Sequence, residues 1–501
     1  MIKLIYRIES DYMSKKRMLI VTSVTLSVVT ISLGIVKLYQ TYALSNYIGT
    51  VTDTGIDVYI NDDSYASIPA NGSSNVYYML TNTNPGTVKY GVAYQTTSGV
   101  TVKVYDTSED PATGTIEEND KKYIKLHLEN KNSTNKTIEL STVLGYENGG
   151  DLVVPSGVTL VTDTYTPPPT AAEYITKLYT TASKTTVTNN SITYNTAPSV
   201  SLMNDRLGGT TTDLDGGNIR YYGASPNNYI YFNCSDYSNQ TSSTCETWRI
   251  IGVFDGKLKL IRGSQIGKYS WDNKNTSTGA EDNYGKNDWT TARLMKLLNP
   301  SNYYKVDSND NNLGQSLYYN SASGKCYSGQ NNATVDCDFT STGIKNDETR
   351  NMIAETTYYL GGWNSYSVYP NEIYEYERGT TVYTGRPPTW PGKIALAYPS
   401  DYGYAADLNQ CKDKTLYYYD NSTCTSNNWM KAILGTSSHG WLLTPYSGHS
   451  YYAWHVRSGG NVYSYLAYGA YGAVPVLSLS SELGIESGGD GSSSNPYKLS
   501  A

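Results

Sequence analysis

The sequence predicts an α+β protein: an N-terminal transmembrane helix, an all-β sandwich after it, and a larger mixed domain at the carboxyl end. Three observations carry this. Nineteen uncharged residues lie between Arg17 and Lys37, strand signals of period two recur from about residue 50 to 162, and beyond the break "TYTPPPT" (Thr164 to Thr170) strand and helix signals mix. With 501 residues the chain has room for two or three globular units. Its 51 Tyr against 3 Phe, and only 17% charged residues, suit a β-rich, loop-rich exported protein. The net charge of -7 and the lack of a basic block beyond the amino end argue against a nucleic-acid partner.

In chain order, residues 1–17 form a basic segment through Lys3, Arg7, Lys15, Lys16 and Arg17. The apolar stretch that follows, over 18–37, is about long enough to cross a bilayer as a helix. The excess of positive charge before it predicts a cytosolic amino end, with the rest outside, as in a single-pass protein of the cell membrane. A cleaved signal peptide is the competing reading, because "TYA" (Thr41 to Ala43) offers small residues at cleavage offsets. Both readings export the remainder.

Over 48–162 the stretches "GIDVYI", "VYYMLTN", "VKYGVAYQ", "VTVKVYD", "KYIKLHLEN", "KTIELSTVL" and "SGVTLVTD" alternate apolar and polar residues, predicting a β-sandwich stalk. Residues 163–190 read as a linker: a stiff Pro run, then a short helix in "AAEYITKLYTTAS" (Ala171 to Ser183). In the remaining 191–501, "TWRIIGVFDGKLKLIRGS" predicts a hairpin turning at Asp255-Gly256. "DWTTARLMKLLNP" predicts a helix capped by Asp288 or Thr290 and ended by Pro300, and "NNWMKAILG" a shorter one ending at Gly435. The six cysteines fall as three local pairs, Cys234 and Cys245, Cys326 and Cys337, Cys411 and Cys424. Although six cysteines allow fifteen connectivities, the clustering favours three small disulfides outside the cell, and the tight spacing of a zinc site is absent.

The most unusual stretch is "SGHSYYAWHVRSGGNVYSYLAYGAYG", residues 447–472. It parses as a hairpin, "AWHVRS" and "NVYSYLA" about a Gly459-Gly460 turn, with Tyr463, Tyr465 and Ala467 on one face and Val462, Ser464 and Leu466 on the other. A core strand would use Val, Ile and Leu where this one interleaves Gly, Ser and His, so one aromatic face is expected to stay exposed. Tyrosines of this kind supply large contact area with few rotatable bonds. Tyr451, Tyr452, His455, Tyr463, Tyr465 and Tyr468 are the expected ligand contacts, joined by Tyr446, with His449, Arg457 and Tyr471 at the rim.

Catalytic signals are weak. His439, His449 and His455 cluster, but no Asp or Glu lies between Gly440 and Ser481, so neither a metal nor a cofactor is expected. "GTSSH" (Gly435 to His439) lacks the final glycine of a nucleophile turn. "DSNDNN" (Asp307 to Asn312) and "DLDGG" (Asp213 to Gly217) read as polar turns rather than calcium loops, lacking a later bidentate Glu.

"WLLTP" (Trp441 to Pro445), "AWHVRSGGNV" (Ala453 to Val462) and "GAVPVLSL" (Gly472 to Leu479) resemble a bacterial family of C-type-lectin-like domains, in which W-L-R-S-P, A-x-x-V-x-S-x-G-x-V and G-V-R-P-x-L recur. "WRIIGVFDGKLKLIR" (Trp248 to Arg262), "NDWTTARLMKLLN" (Asn287 to Asn299) and "GRPPTWPGKIALAYPSDYGYA" (Gly385 to Ala405) look like the same framework, so the resemblance spans roughly Asn218 to Leu499. Leu443 and Val474 stand where that family has Arg. The resemblance implies a C-type-lectin-like, ligand-binding domain over 191–501, with Trp441, Pro445, Val456, Val462 and Pro475 as framework. Some members are variable proteins of diversity-generating retroelements, in which a reverse transcriptase alters adenine-containing codons and the fold displays the changed side chains. Altered Asn codons yield Tyr, Ser, His, Gly, Ala, Leu or Arg, the types that fill Tyr446 to Tyr471; Trp454 does not arise that way and is framework or an exception. The expectation is a non-enzymatic binder of a protein or glycan on another cell, phage or host surface. Its rivals are an enzyme of the formylglycine-generating type, which shares the fold and needs free cysteines, and a structural surface or matrix subunit.

Overall fold

The computed structural model describes residues 44–52, 55–57, 65–82, 86–145, 152, 154–273, 284–305, 313–330 and 332–500, and the chain divides into two units between Pro167 and Pro168. Strands make up 37% and helices 16%, which corrects the α+β expectation to a mainly β protein. Helix length explains the difference. Ala171–Thr181 is the longest helix among the described residues and the others run from four to nine residues, too short to persist without tertiary packing. The helix expected over Asp288 to Pro300 is confined to Arg293–Leu298, because Asp288 accepts from the Thr290 backbone and hydroxyl and folds the first residues into turns.

No helix among the described residues is long and apolar enough to cross a membrane. The stretch 18–37 lies outside the described residues. The expected transmembrane helix, and with it the single-pass placement at the cell membrane, is therefore withdrawn.

In the first unit, period-two patterning produces two facing sheets. One runs Thr164–Tyr165, Val100–Tyr105, Lys121–Asn130, Gly72–Asn82, Leu44–Thr52, Gly55–Asp57; the other Val158–Leu160, Val88–Gln95, Lys136–Gly145, Tyr65–Ile68, with Thr113–Ile116 beside Val88–Gln95. Val76, Tyr78, Leu80, Ile124 and Leu126 from the first sheet meet Tyr90, Val92, Ile138 and Leu140 from the second in one core. Removing these side chains from water is the main force that holds the sheets together.

The stretch 163–190, expected as a linker, is built into the units instead. Thr164–Tyr165 adds a parallel strand to Val100–Tyr105, and Tyr165 stacks on His127 with ring centroids 3.6 Å apart. Helix Ala171–Thr181 is fixed by a capping box, with Thr170 Oγ1 accepting from Glu173 N at 3.2 Å and the Glu173 carboxylate accepting from Thr170 N at 2.8 Å. Its face of Ala171, Ala172, Ile175 and Tyr179 lies in the core of the second unit. Strand Thr185–Asn189 begins that unit's main sheet.

The main sheet has nine strands in the order Thr185–Asn189, Ile192–Ala197, Leu202–Asn204, Ile219–Tyr221, Glu246–Phe254, Lys257–Arg262, Val476–Ser478, Ile394–Ala395, with Tyr229–Phe232 also on Glu246–Phe254. Asp255 and Gly256 turn the central hairpin at φ 49° and 72°, the positive values that a two-residue turn requires. The three disulfides join the pairs read from the sequence: Cys234–Cys245, Cys326–Cys337 and Cys411–Cys424. One fully buried ion network ties this sheet to the helix Pro399–Tyr404. Arg220 pairs with Asp205 at 2.5 Å and Asp401 at 2.9 Å, and Lys259 with Asp401 at 2.5 Å. Stripping either partner would strand a charge without water, so the network acts as a specific latch.

Candidate binding surface

A second sheet of five strands carries the aromatic stretch, in the order Gly267–Tyr269, Tyr471–Ala473, Gly440–Pro445, Tyr452–Val456, Val462–Leu466. The last two form the hairpin, with His455 opposite Tyr463, Ala453 opposite Tyr465 and Trp454 opposite Ser464. Its turn is closed by Gly460 N donating to Arg457 O at 2.9 Å and Arg457 N to Asn461 O at 2.8 Å. Gly460 takes φ 104°, and a Cβ there would meet Thr425 Cγ2 at 2.7 Å, so this position calls for glycine.

The alternation of the strands gives two unlike faces. Trp454, Val456 and Val462 point into a core with Trp429, Ile433 and Leu434. The other face is an aromatic pavement: Trp441 and His455 at its centre are buried, while Tyr463 and Tyr471 are half-buried and Tyr465 is 37% exposed. His455 lies 4.8 Å from the Tyr471 ring and 5.9 Å from Trp441, and Tyr465 lies 5.3 Å from Tyr471. Trp441 is anchored by its Nε1 donating to Tyr269 O at 2.9 Å. His455, expected to touch ligand, is thus a floor residue with 2% of its surface exposed. The cause is its position opposite Trp441 in the neighbouring strand, which covers the imidazole from the inner side.

A second group of rings surrounds the loop before the hairpin. Asn287, itself buried, donates to the carbonyls of Tyr446, His449 and Tyr452 at 3.0, 2.7 and 3.1 Å and so fixes the loop backbone. Tyr446, Tyr451 and Tyr452 are half-buried and His449 is exposed. Tyr451 packs on Tyr452 at 5.2 Å and on Tyr284 at 5.0 Å. Tyr468, the other expected contact, is 7% exposed, because its chain turns inward where its carbonyl accepts from Ser270 Oγ.

Rings distant in sequence extend the surface. Tyr366 stacks on Tyr463 at 4.2 Å, lies 5.4 Å from Tyr446, and pairs its hydroxyl with Ser464 Oγ at 2.7 Å, joining the two groups around the free end of the sheet. Tyr417 and Tyr418 are exposed within the loop closed by Cys411–Cys424; Tyr417 lies 6.2 Å from Tyr463, and Tyr418 packs edge-on against Tyr417. No signal near residues 447–472 marks these partners; the Gly and Ser around Tyr366 in "GGWNSYSVY" and the flanking cysteines of Tyr417 and Tyr418 are the traces in sequence.

Electrostatically the surface is neutral with a cationic margin. Burial pushes the Tyr471 hydroxyl up to about 12 and raises Tyr366 and Tyr452, so these phenols remain neutral donors and acceptors. Burial, with Arg457 and Lys268 nearby, holds His439 below its ordinary value. The Arg457 guanidinium sits 5.5 Å from the Tyr463 ring centre. No group of three or more His, Cys, Asp or Glu able to hold a metal occurs among the described residues. In the "DLDGG" turn the Asp215 carboxylate instead accepts from Tyr179 and Asn195.

Trp441, Pro445, Val456, Val462 and Pro475, expected as framework, are all buried. Leu443 and Val474, which stand where the resembled motifs have Arg, are wholly buried, each in a different apolar core of the second unit. No protein-family model matches the chain, and no curated protein is similar to it in sequence.

Proposed function

We propose that this protein is a binding protein whose contact surface is the aromatic pavement of the C-terminal hairpin and the rings around it. The observation that carries the reading is the layering of that surface. Solvent-reaching Tyr463 and Tyr465 pack over the buried His455, which lies against Trp441, and Tyr451 is held against Tyr284 and Tyr452, so contact area is presented already ordered, with little entropy left to lose on binding. The motif resemblance supports the same role: of the side chains whose types altered Asn codons supply, Tyr446, His449, Tyr451, Tyr452, Tyr463, Tyr465 and Tyr471 reach solvent while His455 and Tyr468 lie beneath them, and Trp454, which such codons do not supply, lies in the core. A variable protein of a diversity-generating retroelement is the finer form of this proposal. A near-identical repeat of residues 441–479 differing only at adenines, beside a reverse transcriptase gene, decides it.

The formylglycine-generating alternative requires free thiols, and all six cysteines are paired. The partner is a protein or glycan on another cell, phage or host surface. Labelled protein incubated with such cells and particles tests the reading. Tyr451→Ala, Tyr463→Ala and Tyr465→Ala combined are expected to abolish binding while moving the thermal transition little. A large fall in transition temperature, or unchanged binding, overturns it.

A further inference from the structure

We propose that the second unit holds a separate pocket for a neutral sugar, formed where the turn Arg206–Gly209, the hairpin tip at Phe254 and Asp255, and the helix Pro370–Arg378 converge. The cavity there measures about 460 Å³, within the range of small-molecule sites. Leu207, Phe254, Tyr359 and Tyr374 provide its apolar walls.

The turn is the first observation. Arg206 and Leu207 both take φ 51°, followed by Gly208 at 77° and Gly209 at 92°, a left-handed turn that non-glycine residues enter only at a free-energy cost. The surroundings enforce it. Leu207 N donates to Asp205 Oδ1 and Arg206 N to Asn204 Oδ1, both at 2.9 Å, while the Arg206 guanidinium donates to Thr211 O and Thr193 O at 2.6 and 2.7 Å. All this holds Leu207 with 38% of its surface exposed, at the wall of the cavity. Strain so firmly held, ending in an exposed apolar side chain beside a cavity, is the pattern of a ligand site.

The charges select the ligand class. Asp255 and Glu375 are exposed at the cavity and repel an anion. An organic cation is disfavoured by the cations already there: Arg378 lines the cavity and lies 3.5 Å from the Tyr374 ring centre, and Arg220 lies 4.5 Å from that of Phe254. A polyhydroxylated ring meets every wall. Its C–H face packs on the exposed Leu207 and Tyr359, and its hydroxyls donate to Glu375 and Asp255. They accept from Arg378, whose Nη1 is engaged by Tyr374 O and Glu377, leaving Nε and Nη2 as donors. Hydroxyl is the neutral group that does both at one atom.

The test is calorimetric titration of the full-length protein with glucose, galactose, mannose, N-acetylglucosamine and cellobiose, and with choline and glucuronate as charged probes. At least one neutral saccharide is expected to bind with a Kd on the order of 1 mM. Tyr359→Ala and Glu375→Gln, both surface changes, are each expected to weaken that binding roughly tenfold or more without moving the thermal transition. Tyr465→Ala is expected to leave it unchanged. Binding of a charged probe but no neutral saccharide, no saccharide binding up to about 50 mM, full affinity in both pocket variants, or loss of sugar binding in Tyr465→Ala overturns the proposal.

Discussion

His455 illustrates how much one side chain's role depends on its neighbours. Burial, then His439 and Arg457, pushes its pKa down to about 3, and its Nδ1 has no hydrogen-bond partner. An unfolded imidazole titrates near 6.5, so as pH falls the unfolded chain takes up the proton first. The stability that the neutral ring contributes is therefore fully present above about pH 6.5 and is lost as pH falls towards 3. Differential scanning calorimetry across pH 7 to 4 is expected to show a falling transition temperature, and His455→Phe is expected to flatten that limb by up to about 3 kcal/mol. Parallel acid curves for the two proteins would assign the slope to other groups. The sequence groups His455 with Tyr463 and Tyr465 as expected contacts, yet only the register against Trp441 shows it to be a floor rather than a contact.

Among the elements, the loop closed by Cys411–Cys424 links stability to the binding surface. It holds Tyr417 beside Tyr463, and its bridge spans 13 residues. Cys411→Ser with Cys424→Ser is expected to cost about 2–4 kcal/mol in denaturant unfolding. The same variant is expected to weaken partner binding, because Tyr417 loses its fixed place. A stable double variant with normal binding would show that the loop is held by Leu416 and Tyr419 packing alone. The local cysteine spacing made this bridge legible in the sequence, as the Asp255-Gly256 and Gly459-Gly460 turns made their hairpins legible. Helix extents were harder, since a side-chain hydrogen bond as small as that of Asp288 to Thr290 ends a helix before its apolar spacing does.

For the whole molecule, the division at Pro167 and Pro168 predicts two independently folding pieces. A fragment of residues 168–501 is expected to unfold cooperatively at the temperature of the matching transition in the intact chain, measured by calorimetry. A fragment that fails to fold would make the first unit part of its stability. The sequence by itself determined the period-two strands of the first unit, the turns of both hairpins, the three cysteine pairs and the tyrosine-rich stretch, because each is encoded by residues a few positions apart. Tertiary structure alone decided that 163–190 is structural rather than a spacer, that Tyr366 and Tyr417 belong with Tyr463, and which tyrosines reach solvent. Tyrosine is apolar along its ring and polar at its tip, so it fits inside or outside equally well by pattern. What settles its place is the strand that packs beside it, contributed by residues tens of positions away.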